Sequence, residues 1–235
     1  MIITLNLSPN HSRKKRLFKD IKFVIIHYTG MQSEIASINR LKNPKFKVSC
    51  HYLINRKGRV MRMVEDSRIA WHAGKSKWKD LQNLNNFSIG IELVNKGHNY
   101  GYQTYTSNQI KNLIKLCKIL KKKYSIKKEN FLGHSDIAPL RKMDPGEKFP
   151  WEKLSKFNIG KWYKKKKLNL KLSSKKMEKE FFKNLKKLGY RYFNNTKKNI
   201  KDKLVIKAFQ QHFLPKNLSG KIDEKTFKIS YFLTH

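Results

Sequence analysis

Two short apolar segments each carry an ionisable side chain, and that combination restricts the possible folds more than any other feature of the chain. The run Phe23-Val24-Ile25-Ile26 lies in a segment, 22–27, that reads as a buried strand ending at His27. Ser88-Ile89-Gly90-Ile91-Glu92-Leu93-Val94 reads as another strand, with the Glu92 carboxylate directed inward in apolar company. Burying an unpaired carboxylate is costly. Glu92 is therefore either held by a backbone partner or kept as a general base whose raised pKa lets it take up a proton.

The surrounding pattern alternates strands with helices. Ile35, Ile38 and Leu41 give the segment 33–41 helical spacing, and it stops before Pro44. Segments 49–54 and 60–64 flank Arg56-Lys57-Gly58-Arg59, a hairpin signal. Ser107 is the expected N-cap of a helix with Ile110, Leu113, Ile114, Leu116, Cys117 and Leu120 on one face. A short strand near Phe131-Leu132 then delivers His134. Residues 1–160 thus read as one mixed α/β domain. A basic linker over 161–174, with the tetrad Lys164-Lys165-Lys166-Lys167, leads to helical patterns at about 175–188, 198–213 and 223–233. Residues 175–235 read as a small three-helix unit, with Asp223 capping the last helix.

The net charge is +38, of which residues 161–235 carry +17 and residues 1–160 carry +21. The excess is spread along the chain and is mostly lysine. A dedicated nucleic-acid reader concentrates its basic residues and uses arginine at base edges. No specific nucleic-acid partner is expected, although salt-dependent attraction to polyanions is. Cys50 and Cys117 show no Cys-x-x-Cys spacing and read as buried thiols. The N-terminal segment places apolar residues before the basic cluster Arg13–Arg16, the reverse of a secretory signal. No stretch approaches ~18 apolar residues. Cytoplasm is the expected compartment.

The chemistry concentrates between Gly133 and Gly146. His134 and Asp144 stand ten positions apart on a turn-rich loop, with Lys142 two residues before the aspartate. Two imidazoles, from His27 and His134, and the Asp144 carboxylate suit a zinc ion that keeps its fourth position open. Either histidine alone reads equally well as a packed core residue. Lys142 is one more surface lysine or an ammonium aimed at an oxyanion. Tyr52 fills the core or directs its hydroxyl into the site. His51 should face the other side of the strand from Tyr52 and is not assigned to the metal. Trp71-His72-Ala73-Gly74 offers an aromatic face and an imidazole to a sugar or peptide groove, with a packing tryptophan as the competing reading. His11, His98, His212 and His235 have no informative context.

His27-Tyr28-Thr29, Ser49-Cys50-His51-Tyr52-Leu53-Ile54, Ala70-Trp71-His72-Ala73-Gly74, Ser88-Ile89-Gly90-Ile91-Glu92, Gly133-His134-Ser135-Asp136 and Asp144-Pro145-Gly146 occur in that order. Over about residues 18–160 the chain resembles the zinc-dependent N-acetylmuramoyl-L-alanine amidases of the AmpD/AmiD type, relatives of peptidoglycan-recognition proteins and phage T7-type lysozyme. The resemblance implies a central mixed β-sheet flanked by helices, and one Zn2+ per chain on His27, His134 and Asp144. It also implies Glu92 activating water and Lys142 stabilising the oxyanion. Tyr52, Trp71 and His72 are the expected substrate-binding residues. The implied substrate is peptidoglycan or a muropeptide, cut between N-acetylmuramic acid and L-alanine. Val205–Phe213 with Gly220–Phe227 resembles a three-helix peptidoglycan-binding domain. That tail, together with the AmiD-type arrangement, favours the periplasm, whereas the absence of a signal or lipobox favours cytoplasmic recycling of 1,6-anhydro-muropeptides. A non-catalytic peptidoglycan receptor is the rival reading. Retention of all three presumed ligands with Glu92 and Lys142 argues against it.

Overall fold

The computed structural model describes residues 2–164, 172–194 and 199–235. The chain begins with β1 (Ile3–Leu5), β2 (His11–Lys15), β3 (Phe23–Tyr28), α1 (Glu34–Lys42), β4 (Tyr52–Ile54) and β5 (Val60–Arg62). There follow β6 (Arg68–Ala70), β7 (Lys77–Trp78), β8 (Leu81–Gln82), β9 (Ser88–Leu93), α2 (Ser107–Lys123) and β10 (Phe131–Gly133). The short helices α3 (His134–Ile137) and α4 (Trp151–Ser155) precede α5 (Ser174–Leu188), α6 (Ile200–Phe213) and α7 (Glu224–Thr234).

Six strands form one mixed sheet in the order β1-β5-β4-β9-β3-β10. Within it β4 and β5 are the antiparallel pair expected as a hairpin, and the other pairings are parallel. Both faces of the central strands are covered, which is why their sequences are almost continuously apolar. Val24 and Ile26 of β3 join Ile89, Ile91 and Leu93 of β9 against Ile110, Leu113 and Cys117 of α2. Phe23 and Ile25 point the other way, into a second cluster. By the same alternation Ser88, Gly90 and Glu92 leave the α2 face. The β3–β9 register sets His27 opposite Glu92. Cys50 and Cys117 are buried and unpaired with each other.

The N-cap of α2 lies one residue earlier than expected. Thr106, not Ser107, is the N-cap: its Oγ1 accepts from Gln109 N–H, and Gln109 Oε1 accepts from Thr106 N–H. The reciprocal Thr-x-x-Gln pair satisfies two orphan donors where Ser107 would satisfy one.

The C-terminal helices share their core with the sheet. Phe181, Phe182, Leu185, Phe209 and Phe213 lie in one apolar cluster with Phe23, Ile25, Trp78, Leu132 and Ile137. Asp136 of α3 accepts from Tyr190 Oη (2.5 Å), and its other oxygen lies 2.8 Å from His212 Nδ1. His212, uninformative in sequence, also stacks on Trp151 with ring centroids 4.1 Å apart. Half of the expected linker over 161–174, residues 165–171, lies outside the described residues, as do Lys165, Lys166 and Lys167 of the tetrad. Its first part is not a solvated run: Trp162 and Tyr163 stack and pack against the shared cluster. Among the described residues no helix is long and apolar enough to cross a membrane.

Candidate metal centre

The carboxyl ends of β3 and β10 bring His27 and His134 together, and the loop after α3 returns with Asp144. His27 Nδ1 lies 2.8 Å from Asp144 Oδ2 and 2.9 Å from His134 Nδ1. His134 Nδ1 lies 3.0 Å from the same carboxylate oxygen. All three residues are buried. This is the one group among the described residues whose histidine, cysteine or carboxylate ligand atoms converge as a metal site requires, all within 4.8 Å. Two nitrogens and one carboxylate oxygen on a shared point fit a zinc ion with an open position.

The electrostatics follow from burial. Burial pushes the His27 imidazole down to about 4, with the neighbouring His134 charge adding to the effect. Burial alone would raise Asp144, but the facing histidines, by charge and hydrogen bond, hold it well below the usual carboxylate range. Both ligands are therefore in their metal-binding protonation states at neutral pH. Glu92, buried beside them, is pushed up to about 8 by burial and by Asp144, against the pull of Lys142. Among the described residues its Oε2 has no hydrogen-bond partner. A cation on the adjacent ligands would favour its ionised form.

These groups open onto a cavity of about 520 Å³ whose lining includes His27, Glu92, His134, Lys142 and Asp144. The three expected metal ligands and both expected catalytic residues thus meet in one place. Of the expected substrate-binding set only His72 reaches it. Tyr52 is buried on the α2 face, where its hydroxyl donates to Asp66 Oδ1 at 2.7 Å. Strand alternation turned it away from the site. Trp71 is half-buried, its N–H held by Ser49 Oγ at 2.9 Å, and it is not among the residues lining the cavity. His72 reaches the cavity wall but is only 6% exposed, and its Nδ1 lies 3.0 Å from His27 Nε2. Burial holds His72 well below the ordinary histidine range, so it is neutral.

Further residues without a motif around them complete the wall. His98, given no role, lies 2.8 Å from Tyr28 Oη and 3.0 Å from Glu147 Oε2 and lines the cavity with Tyr28. Arg141 lines it too, its Nη2 donating to the carbonyls of Ala73 and Lys75. The adjacency of Arg141 to Lys142 was the one available signal for it. Arg16, read as part of a basic cluster, is buried and donates to the carbonyls of Asp66 and Ser88 while facing His51 Nε2 at 2.8 Å.

Residues 17–147 match the family model described as N-acetylmuramoyl-L-alanine amidase. The chain is 36% identical over 228 residues to the N-acetylmuramoyl-L-alanine amidase AmiD of Escherichia coli, covering 89% of this chain and 81% of the relative. It is 35% identical over 161 residues to the 1,6-anhydro-N-acetylmuramyl-L-alanine amidase AmpD of Haemophilus influenzae, covering 61% of this chain and 85% of that one. The fold superposes on E. coli AmiD in complex with the substrate anhydro-N-acetylmuramic acid-L-Ala-D-gamma-Glu-L-Lys, with a TM-score of 0.79 at 32% identity. That match covers 94% of this chain and 91% of the other. AmpDH3 from Pseudomonas aeruginosa, in complex with an anhydromuramic pentapeptide, matches at a TM-score of 0.80 and 30% identity, covering 94% and 93%. With the mixed sheet, the His-His-Asp convergence and the buried glutamate, these matches leave one assignment: the chain belongs to the N-acetylmuramoyl-L-alanine amidase family.

Proposed function

We propose that this chain is a zinc-dependent hydrolase of the amide between the lactyl group of N-acetylmuramic acid, or its 1,6-anhydro form, and the L-alanine of the stem peptide. The observation that carries the proposal is the meeting of His27, His134 and Asp144, within 3.0 Å of one another, with a buried, unpartnered Glu92 oxygen in one cavity. Zinc held by the three ligands would polarise the scissile carbonyl and lower the pKa of water.

The chain's own residues do the rest. Glu92 Oε2 takes the proton of the attacking water and passes it to the leaving L-alanine nitrogen, a role suited to a carboxylate with a raised pKa. Lys142, on the cavity wall, neutralises charge developing on the carbonyl oxygen. The cavity, about 520 Å³, is within the range that holds a small sugar-peptide. Solved relatives hold anhydro-muramyl peptides, which supports the same substrate class here.

The test is amide cleavage of purified anhydro-muropeptide and of intact sacculi, with and without a chelator. Chelator-sensitive release of stem peptide is expected. No release from protein shown to contain zinc would favour the receptor reading instead. A preference for the anhydro-muropeptide goes with the cytoplasmic recycling expected from sequence, and a preference for sacculi with periplasmic wall turnover. The C-terminal helices, by their resemblance to a peptidoglycan-binding module, should keep the protein on sacculi even when excess soluble muropeptide fills the catalytic cavity. Complete release under that competition would remove the role.

A further inference from the structure

We infer that the His72-Ala73 segment sets the tautomers of both histidine ligands, with His72 a positioning residue for His27 rather than a contact for substrate. The inference rests on the zinc reading above. A histidine that binds metal through Nδ1 must carry its proton on Nε2, and a partner on Nε2 decides whether it does.

The proton count can be followed from a fixed acceptor. Ser88 Oγ donates its single proton to the Leu84 carbonyl at 2.5 Å. Towards His72 Nε2, 3.3 Å away, Ser88 can therefore only accept. Among the described residues no carboxylate pairs with the buried His72 ring, so it holds a single proton, on Nε2, and presents a bare Nδ1. That nitrogen lies 3.0 Å from His27 Nε2, which must donate. His27 Nδ1 is left bare, facing Asp144 and His134. A backbone carbonyl three residues removed from the metal thus fixes the state of the ligand.

His134 is fixed by the next residue. Its Nε2 lies 3.1 Å from the Ala73 carbonyl, an acceptor only. Arg141 Nη2 lies 3.3 Å from the same nitrogen, but both of its protons go to the carbonyls of Ala73 and Lys75. None remains for His134, so Nε2 of His134 keeps its proton and donates to Ala73. Two more contacts hold the segment still: the N–H groups of His72 and Ala73 both donate to Asn85 Oδ1. Gly90 leaves the room, because a Cβ there would lie 2.4 Å from the His72 ring.

The experiment combines imidazole nitrogen NMR of the zinc-loaded wild type with zinc competition against a chromophoric chelator. In the wild type, His27, His72 and His134 should each carry the proton on Nε2, with His27 and His134 ligating through Nδ1. Ligation of His27 through Nε2, or a proton on His72 Nδ1, overturns the inference without requiring any variant to fold. His72→Leu removes the acceptor and should weaken zinc binding ~10- to 100-fold. His72→Asn places an amide oxygen near the position of Nδ1 and should recover most of that loss. Unchanged zinc affinity in a folded His72→Leu protein also overturns it. A wild type that binds no zinc would instead sink the metal reading itself.

Discussion

Glu92 and Tyr52 are both buried on central strands of the sheet, yet only one faces the cavity. On the proposed zinc chemistry Glu92 is the base and not a ligand, so Glu92→Gln should keep one zinc per chain by elemental analysis while turnover falls ~10²- to 10⁴-fold. Wild-type rates in that variant would remove Glu92 from the chemistry. Tyr52→Phe has the opposite signature. It deletes a buried donor to Asp66, whose other oxygen accepts from Tyr124 Oη at 2.5 Å. A stability loss of ~1–3 kcal/mol in urea unfolding is expected, with kcat/KM unchanged. A large rise in KM without a stability loss would return Tyr52 to the substrate. Glu92 was legible because an ionisable group in an apolar strand demands a reason. Tyr52 was not, since a tyrosine suits either face of a strand and only the neighbouring layer decides.

At the scale of elements, β3, β4, β5, β9, β10 and the helices α1, α2, α5, α6 and α7 follow the sequence, whereas the short β1, β2, β6, β7, β8 and α4 carry too few residues to leave a periodic signal. At α2 two local signals compete. Both Thr106 and Ser107 can cap α2. The reciprocal bond with Gln109 selects Thr106. Thr106→Ala should cost ~1 kcal/mol in urea unfolding, and Ser107→Ala only a few tenths. Equal effects would mean the capping box adds nothing. The loop carrying His134, turn-rich in sequence, contains the single helical turn α3, with Gly133 N–H donating to Asp136 Oδ2 at 2.8 Å. Such a short turn leaves no periodic apolar pattern to read.

Over the whole molecule, the buried imidazoles give folding a definite pH dependence. Burial holds His51 at about 3, helped by Arg16, and His27 at about 4. The unfolded chain binds protons at these groups near 6.5 and the folded one does not, so stability is present above that pH and falls as pH drops towards the folded values. Glu92, raised to about 8, acts in the opposite direction in metal-free protein, losing stability as pH rises. The histidine effect is therefore cleanest in metal-free Glu92→Gln. Between pH 7 and pH 4.5 its unfolding free energy should drop by roughly 2–3 kcal/mol for each of the two histidines. A urea midpoint flat over that interval would contradict the burial-derived neutrality. The same packing explains why the C-terminal helices are not a tethered appendage: their phenylalanines complete the core beneath β3.

Local chemistry was enough for the sequence to specify the central strands, the longer helices, the candidate site residues and the family they resemble. Apolar periodicity, turn residues and motif spacing are properties of neighbours along the chain. Which side chains meet across the sheet was decided only in three dimensions. The β3–β9 register set Glu92 beside His27, alternation sent Tyr52 to α2, and the fold laid His72 against His27 and His212 against Asp136. Those contacts join residues from 45 to 76 positions apart. No local propensity encodes them, because their free energy depends on the layers being packed together.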